Sequence, residues 1–317
     1  MRLYSFQRAG APRLAVEHRE WLVDVNRALQ LSMAAPDAVS ETVQRAAEHV
    51  MPSSLNAALL MPALERTSAV RSALAIADEL ISTHGEDWSH DQHLLVSRDR
   101  VVLRAPVAEG GKIFAIGLNY ISHAAEAERE APEYPMVFMK PISTLRGDGA
   151  MVPIPTASHR IDYEGEILVV IGTRCRNVEF EAAMSVVAGF SLANDISARD
   201  WQRRTSQLMI GKAFDGFCPA GPSLVTVDEA GPYGELEFAT SVNGESRQKA
   251  RASEMIFDIP TLVSYISQVV TLEPGDAIVT GTPSGIGAAF RPSKWLRAGD
   301  VVEVSSPQLG TLRTTMT

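Results

Sequence analysis

The stretch "DYEGEILVVIG", from Asp162 to Gly172, constrains the fold of this chain more than any other. Side chains two apart in a β-strand point to the same face, which predicts that Asp162, Glu164 and Glu166 lie side by side. Two unit charges ~4 Å apart at an effective dielectric of ~20 repel by roughly 4 kcal/mol. The strand then becomes continuously apolar, which favours burial over the alternative of a solvated acidic face. Raised pKa values, basic neighbours or a bound cation could each offset the repulsion.

The overall composition limits the partners of the chain. A formal net charge of -9 over 317 residues, without a basic run, argues against a nucleic-acid ligand. No apolar segment of about 18 residues and no signal-peptide core are present, so we expect a soluble, cytoplasmic protein that does not bind membranes. Cys175 and Cys218 have neither metal nor redox spacing. We interpret both as buried free thiols in a reducing compartment.

The pattern of apolar residues predicts two domains, a small α+β domain over 1–106 and a β-rich domain over 107–317. In the first we predict strands in "PRLAVE" and "EWLVDVN", helices capped by Ser40 and Thr67, and a hairpin turning at 97–100. In the second, the helix "IPTLVSYISQVV" interrupts a series of strands. The predicted strands are "KIFAIG", "MVFMK", "EGEILVVIG", "VAGFSLAND", "SLVTV", "LEFATSVNG", "AIVTGTP" and "VVEVSS".

The glycine-rich segment "GTPSGIG", from Gly281 to Gly287, is similar to a phosphate-binding loop only superficially. It lacks the Lys-Ser/Thr pair of a P-loop, and its glycines are not spaced as G-x-G-x-x-G. We interpret it as a turn in which the Thr282 hydroxyl and backbone N–H groups hold a carboxylate.

A third acid, Asp195, ends the apolar stretch "VVAGFSLAN", where a strand is expected to leave the core. With Glu164 and Glu166 it suits a hard cation such as Mg²⁺, Mn²⁺ or Ca²⁺. Alternatively, Asp195 simply begins a turn or helix. Arg199 and Gln202, three residues apart, and Lys212 in "GKAFDG" are candidates to orient an anionic, carbonyl-bearing substrate.

The segment "GLNYISHAAE" places His123 and Glu126 three residues apart, so one helical turn would bring them together. A carboxylate beside an imidazole makes a general base for activating water. A surface histidine is the alternative interpretation. His90 and His93, without further ligands nearby, are interpreted as surface residues.

Taken together, these motifs resemble those of the fumarylacetoacetate hydrolase family. The matching segments occur in family order from about residue 110 to the end, and the N-terminal part is similar to the leader domain of longer bacterial members. The segments are "IFAIGLNYISHAAE", "FMKPISTLRGDG", "DYEGEILVVIG", "ANDISARDWQ", "GKAFDGFCPAGP", "VNGE", "LEPGDAIVTGTPSGIG" and "VVEV" followed by "LGTLRT".

The resemblance implies an α+β fold with a mixed β-roll catalytic domain, usually in a homodimer, and a role for each candidate residue. It implies divalent-metal ligands at Glu164, Glu166 and Asp195. It implies a water-activating pair at His123 and Glu126, with Lys212 also catalytic. It implies substrate or supporting contacts from Tyr120, Lys140, Arg199, Gln202 and Thr282. Asn119 stands where fumarylacetoacetases carry a further metal-binding aspartate, which favours Mg²⁺ or Mn²⁺ over Ca²⁺.

The family fold permits hydrolase, decarboxylase and isomerase chemistry on 2-oxo acids. His123 and Glu126 favour hydrolysis of the C–C bond of a 2,4-dioxo acid to pyruvate and a carboxylic acid, as in the breakdown of aromatic compounds. Water activated by His123 would attack the distal carbonyl, and the metal and Lys212 would stabilise the departing pyruvate enolate. A decarboxylase of oxaloacetate-like acids and a 2-hydroxydienedioate isomerase are the alternatives within enzymes, and a non-catalytic metal-stabilised binding protein is the alternative outside them. Arg203 and Arg204 either recognise a second carboxylate or are solvated.

Overall fold

The computed structural model describes residues 1–317. Contacts within the chain divide it into two units, Met1–Arg104 and Ala105–Thr317. Each unit combines helices with β-sheet, as predicted. None of the helices combines the length and the apolar character that a membrane crossing requires.

The N-terminal unit is an antiparallel sheet with five helices. Its strands are β1 (Arg2–Arg8), β2 (Ala11–His18), β3 (Trp21–Asp24), β4 (Leu95–Val96) and β5 (Val102–Arg104). Its helices are α1 (Val25–Met33), α2 (Glu41–Val50), α3 (Leu55–Leu59), α4 (Ala63–His84) and α5 (Glu86–Asp91). The strand order is β4-β3-β2-β1, with β5 also paired to β1.

Two predictions for this unit were wrong. Helix α4 begins at Ala63, four residues before the predicted cap Thr67, because Pro62 already supplies a suitable backbone angle at the N-cap. The predicted hairpin around 97–100 does not form, since β4 pairs with β3 while β5 pairs with β1. Ser40 does cap α2, and its hydroxyl accepts from the Val43 N–H at 3.4 Å.

The C-terminal unit is built from two larger sheets and a two-stranded pair. Its strands are β6 (Ile113–Gly117), β7 (Met136–Lys140), β8 (Leu145–Arg146), β9 (Ala150–Val152), β10 (Ile161–Asp162), β11 (Gly165–Ile171), β12 (Val187–Asn194), β13 (Ser197–Ala198), β14 (Cys218–Thr226), β15 (Glu237–Val242), β16 (Glu245–Arg251), β17 (Ala277–Val279), β18 (Val301–Ser306) and β19 (Gly310–Met316). Its helices are α6 (Ile121–Glu126), α7 (Arg199–Gln202), α8 (Val227–Ala230) and α9 (Ile259–Val269).

Strands of mixed direction form the two sheets of this unit. One runs β14-β12-β11-β17-β6-β7, with β8 against β14, and the other runs β16-β15-β18-β19-β9. Strand β10 pairs separately with β13. Every residue of β11 and β12 is buried, as the continuous apolar pattern predicted.

The main core lies where the central strands meet the second sheet and α9. Ile167 and Val169 of β11 pack in one cluster with Phe238 of β15, Val304 of β18 and Leu262 of α9. Helix α9 begins where Asp258 accepts from the Thr261 N–H at 3.0 Å. The core thus fixes the ends of β11 and β12, and the acidic residues lie at those ends.

The two cysteines differ in their surroundings. Cys218 is buried in β14, but Cys175 lies in a partly exposed loop, so the prediction that both thiols are buried was half right. Burial raises the pKa of the Cys218 thiol to about 12.

Candidate active site

Three carboxylates meet where β11 begins and β12 ends. The two strands are antiparallel, and their register pairs Gly165 with Asn194, so Glu164, Glu166 and Asp195 come together. One ligand oxygen from each lies within 4.8 Å of the others. All three residues are buried, with at most 4% of any one exposed.

Asp162 does not join this triad, although the strand pattern predicted it beside Glu164. The strand is interrupted after β10, and Asp162 Oδ2 accepts from Arg199 Nε at 2.9 Å. Arg199 Nη2 lies 2.6 Å from Glu164 Oε1. A guanidinium therefore bridges these two acids, and basic neighbours supply part of the compensation that the sequence requires.

Two lysines neutralise the opposite side of the triad. Lys212 Nζ lies 2.5 Å from both Glu164 Oε2 and Asp195 Oδ2. Lys140 Nζ lies 2.5 Å from Asp195 Oδ1 and 2.6 Å from the carbonyl oxygen of Lys212. Four buried carboxylates, with Asp162 included, thus face three cations, which leaves one negative charge in excess.

Glu166 is the acid of this group that has no ion pair with a lysine or arginine. Burial raises its pKa well above the usual range, and the charges of Asp195 and Glu164 raise it further. Burial also opposes ionisation of Glu164, but Arg199 and Lys212 outweigh it and lower the pKa of that carboxyl. A buried, oxygen-only donor set that lacks one positive charge fits a hard divalent cation.

The segment Gly281–Ala288, which we call the glycine loop, anchors acids of the site. The sequence predicted a turn that holds a carboxylate, and the carboxylates that it holds belong to the protein itself. The Gly281 N–H donates to Glu166 at 2.5 Å, and the Gly285 N–H donates to Glu126 at 2.8 Å. The N–H groups of Gly287 and Ala288 donate to the two oxygens of Asp162 at 2.7 and 3.0 Å. Backbone N–H groups therefore fix three acids at once.

Gln248 of β16 holds the glycine loop against β11. Its Oε1 accepts from the Gly165 N–H at 3.0 Å, and its Nε2 donates to Thr282 Oγ1 at 2.7 Å and to the Pro283 carbonyl at 3.0 Å. Thr282 Oγ1 donates in turn to the Gly165 carbonyl at 2.9 Å. Sequence reasoning missed both β16 and Gln248, because "ESRQKAR" is polar and only the burial of Gln248, 2% exposed, reveals its role.

His123 and Glu126 lie on one turn of α6. His123 Nδ1 is 3.4 Å from Glu126 Oε2, while the other carboxylate oxygen accepts from the glycine loop. The second imidazole nitrogen, Nε2, makes no hydrogen bond within the chain. The pair therefore presents one anchored carboxylate and one available ring nitrogen.

A cavity of about 470 Å³ lies beside the triad. Seven of the predicted site residues line it: His123, Glu126, Glu164, Arg199, Gln202, Lys212 and Thr282. Sequence reasoning did not single out other residues of the wall, among them Met136, Leu208, Ile286, Arg129 and Arg291. They lie in segments whose position only the fold determines.

Four predicted residues do not line this cavity. Glu166, Asp195 and Lys140 are not among its lining residues, but Lys212 contacts two of them, Asp195 through Nζ and Lys140 through its carbonyl oxygen. Tyr120 lies in the core, 1% exposed, with its ring 6.4 Å from that of Phe238.

The Asn119 side chain hydrogen-bonds to backbone groups through both its nitrogen and its oxygen. Its Nδ2 donates to the carbonyl oxygens of Thr280 at 2.7 Å and Phe257 at 3.0 Å, and its Oδ1 accepts from the Phe257 N–H at 2.8 Å. It therefore connects the strand β17 end to the segment before α9, and offers no free oxygen to an ion.

Comparison with known proteins agrees with this architecture. The family described as fumarylacetoacetate (FAA) hydrolase C-terminal matches residues 112–317. The chain is 46% identical over 210 residues to the 2,4-didehydro-3-deoxy-L-rhamnonate hydrolase of Sphingomonas sp. (strain SKA58), covering 66% of this chain and 74% of that protein. It is 44% identical over 222 residues to the oxaloacetate tautomerase YisK of Bacillus subtilis (strain 168), covering 69% and 74%.

Among solved structures, the maleylpyruvate hydrolase from Sphingobium sp. SYK-6, in complex with manganese(II) ion and pyruvate, matches with a TM-score of 0.70 and 26% identity. The alignment covers 100% of this chain and 99% of that chain. Another solved structure, the 2-hydroxyhepta-2,4-diene-1,7-dioate isomerase from Mycobacterium marinum, matches with a TM-score of 0.69 and 26% identity, covering 100% of this chain and 98% of that chain. The fold thus places the chain in a class of enzymes that includes hydrolases, isomerases and tautomerases. The chain belongs to the fumarylacetoacetate hydrolase family, as the sequence motifs indicated.

Proposed function

We propose that this protein is a divalent-metal-dependent hydrolase that cleaves the C–C bond of a 2,4-dioxo acid to give pyruvate and a carboxylic acid. One observation carries the proposal. The His123–Glu126 pair lines the same cavity as Glu164 and Lys212, so a base faces the anionic end of the site. A base in this position has a use in hydrolysis, because water must lose a proton as it attacks a carbonyl.

The pair is arranged for that role. Glu126 is fixed by the Gly285 N–H, and its second oxygen faces His123 Nδ1. A proton on Nδ1 leaves Nε2 as the acceptor, and the imidazolium that forms is stabilised by the carboxylate. His123 would therefore take the proton from water and return it to the pyruvate carbon after the bond breaks.

Glu164, Glu166 and Asp195 would hold the divalent ion, for which we propose Mg²⁺ or Mn²⁺. When bound, the ion supplies Lewis-acid polarisation of the 2-oxo group. Lys212 provides a further fixed positive charge: burial lowers its pKa, but Asp195 and Glu164 outweigh this and raise it. The ammonium would stabilise the enolate that leaves when the bond breaks.

The arginines of the cavity wall support a substrate with a second carboxylate. Besides Arg199 the wall includes Arg129, Arg203 and Arg291, and besides Glu126 and Glu164 its one further acid is Glu128. Arg204, in contrast, stacks over Trp201 with its guanidinium carbon 3.6 Å from the ring centre. We therefore propose a fumarylpyruvate-like or dioate substrate, recognised by Arg203 rather than Arg204.

Incubation with acetylpyruvate and fumarylpyruvate in H₂¹⁸O tests the proposal. With Mn²⁺ we expect pyruvate and the matching acid, with one ¹⁸O in the new carboxylate, and faster turnover of fumarylpyruvate. His123→Ala should abolish this while Mn²⁺ binding persists. Full activity of His123→Ala would refute the role of the base, and Mn²⁺ binding without turnover of any 2-oxo acid would favour a non-catalytic binding protein.

A second candidate, tautomerisation of oxaloacetate, is favoured by the likeness to the Bacillus subtilis enzyme. His123 could move a proton between carbon and oxygen of a keto acid without adding water. Keto–enol conversion of oxaloacetate, followed by ultraviolet absorbance, separates the two functions. Rapid conversion without ¹⁸O incorporation from any acylpyruvate would replace the hydrolase proposal with this one.

We also propose that the protein is a cytoplasmic homodimer. Edge strand β7 exposes Val137 and Met139, and Ile142, Met209 and Ile210 are exposed in the segments next to it. Exposed apolar side chains along a sheet edge are typical of a surface that a second copy covers. Light scattering after gel filtration would give twice the mass of the chain, and one chain mass would contradict the proposal.

A further inference from the structure

Three arginines of the N-terminal unit converge on one buried acid. Asp24, which is wholly buried, ends β3 and caps α1 by accepting from the Arg27 N–H at 3.0 Å. Arg13 pairs with it through two hydrogen bonds, of 2.9 and 2.7 Å. Arg8 Nη1 lies 3.7 Å from the same carboxylate and 3.3 Å from the His93 carbonyl oxygen.

This arrangement holds more positive charge than Asp24 requires. Arg13 alone satisfies the carboxylate bidentately, yet Arg8 and Arg27 lie close by. Besides Asp24, the Arg8 guanidinium contacts only the His93 carbonyl oxygen, and the Arg27 guanidinium contacts only the Gln92 carbonyl and Gln30 amide oxygens. Burial lowers the pKa of Arg8 and of Arg27; the charge of Asp24 raises both, and the charge of Arg13 lowers both. Arg8 Nη2, Arg13 Nη1 and Arg27 Nη2 donate to nothing within the chain.

The three arginines line a cavity of about 660 Å³. Its wall also includes Gln30, Gln44 and His93. The acids of its wall are already engaged: Glu41 pairs with Arg45 at 2.5 Å, and Glu48 accepts from the Ser53 N–H at 2.9 Å. The unused hydrogen-bonding capacity of the cavity is therefore mostly that of guanidinium donors.

We propose that this cavity binds a small metabolite through a multiply charged anionic group, a polycarboxylate or a phosphate. The guanidinium fork matches both groups with paired hydrogen bonds. The volume suits a ligand of metabolite size. The site lies entirely within Met1–Arg104, outside the family match at 112–317, so it does not depend on the proposed catalytic function.

Arg8 is the residue to change, because its substitution leaves Asp24 paired with Arg13. The matched control is Arg71→Gln, which removes an equal charge from an exposed position of α4 in the same unit. Metal-free full-length protein would be titrated calorimetrically with inorganic phosphate and, separately, with citrate, at constant ionic strength set by NaCl. Circular dichroism would confirm that each variant is folded. If the Arg8→Gln variant were unfolded, Arg27→Gln would be used in its place.

We expect saturable binding of one of the two anions, weakened about tenfold by Arg8→Gln, as for loss of one charge-assisted bond, and unchanged by Arg71→Gln. Phosphate binding would identify a phosphorylated metabolite, and citrate binding a polycarboxylate. Absence of binding to both anions would overturn the proposal. So would binding that Arg8→Gln leaves unchanged, since the anion would then occupy another part of the protein.

Discussion

Asp162→Asn is the substitution that tests how the site is held together. Asp162 Oδ1 accepts from Gly287 and Tyr163, and Oδ2 accepts from Arg199 and Ala288. An asparagine of the same shape keeps one oxygen, but its NH₂ group then faces two donors. Two hydrogen bonds to a charged group, worth about 1.5–3 kcal/mol each, are lost.

The loss should lie near the lower end of the resulting range, at about 3 kcal/mol, because Arg199 keeps its 2.6 Å pair with Glu164. We expect the effect to be local, since Asp162 holds the glycine loop and not the central strands. Amide hydrogen exchange measured by mass spectrometry on peptides covering 285–290 would then be faster by about a hundredfold. Turnover should fall as well, because Ala288 and Arg199 line the cavity.

Asp200→Asn is the matched control. Asp200 accepts through Oδ1 alone, from Ser158 at 2.5 Å and from the Trp201 N–H at 3.1 Å, and an asparagine keeps that oxygen. Its replacement should cost about 1 kcal/mol. Equal exchange rates in the two variants, or an unchanged rate in Asp162→Asn, would refute the argument that the charge on Asp162 positions the loop.

Three further predictions concern other parts of the C-terminal unit. Mn²⁺ at about a hundred times its Kd should stabilise the protein by about 2.7 kcal/mol in urea titrations, and Asp195→Asn should remove most of that gain. Gln248→Leu should cost about 2–5 kcal/mol in the same titration, because the Gly165 N–H and the Pro283 carbonyl lose their buried partner; a cost below about 1 kcal/mol would contradict this. Iodoacetamide at pH 8 should modify Cys175 and spare Cys218, whose thiol is buried and has a pKa raised to about 12; rapid labelling of both would show that the strand opens.

The sequence predicted the central strands and placed Glu164, Glu166 and Asp195 at their ends because both depend on local pattern, but the same pattern wrongly grouped Asp162 with Glu164. Continuous apolar runs marked β11 and β12, and the acids at their ends were found from that pattern alone. The predicted hairpin at 97–100 does not form because β4 and β5 pair with β3 and β1, which are distant in sequence, and not with each other. Gln248 and the Asp24 cluster were missed for a related reason, since each depends on contacts between segments that no local pattern records.

The resemblance to a family predicted which residues bind metal or substrate, and the structure shows which hydrogen bonds connect those residues. Asn119 illustrates the difference. The sequence indicated that an aspartate of related enzymes is absent here, whereas the structure shows what the amide does instead, by holding three backbone groups of two segments.

In the glycine loop, backbone groups hold the acids, while side chains line the substrate cavity. Its donors are backbone N–H groups, which every residue except proline possesses, so its outward side chains can change without releasing an acid. Part of the cavity wall comes from Ile286 of the loop and from Ala289 and Arg291, which directly follow it. The glycines themselves cannot change: a Cβ on Gly281, Gly285 or Gly287 would approach a neighbouring atom to 2.7, 2.0 or 2.2 Å. Protein engineers seeking new substrates could therefore randomise the wall positions while leaving the glycines, and with them the acidic centre, untouched.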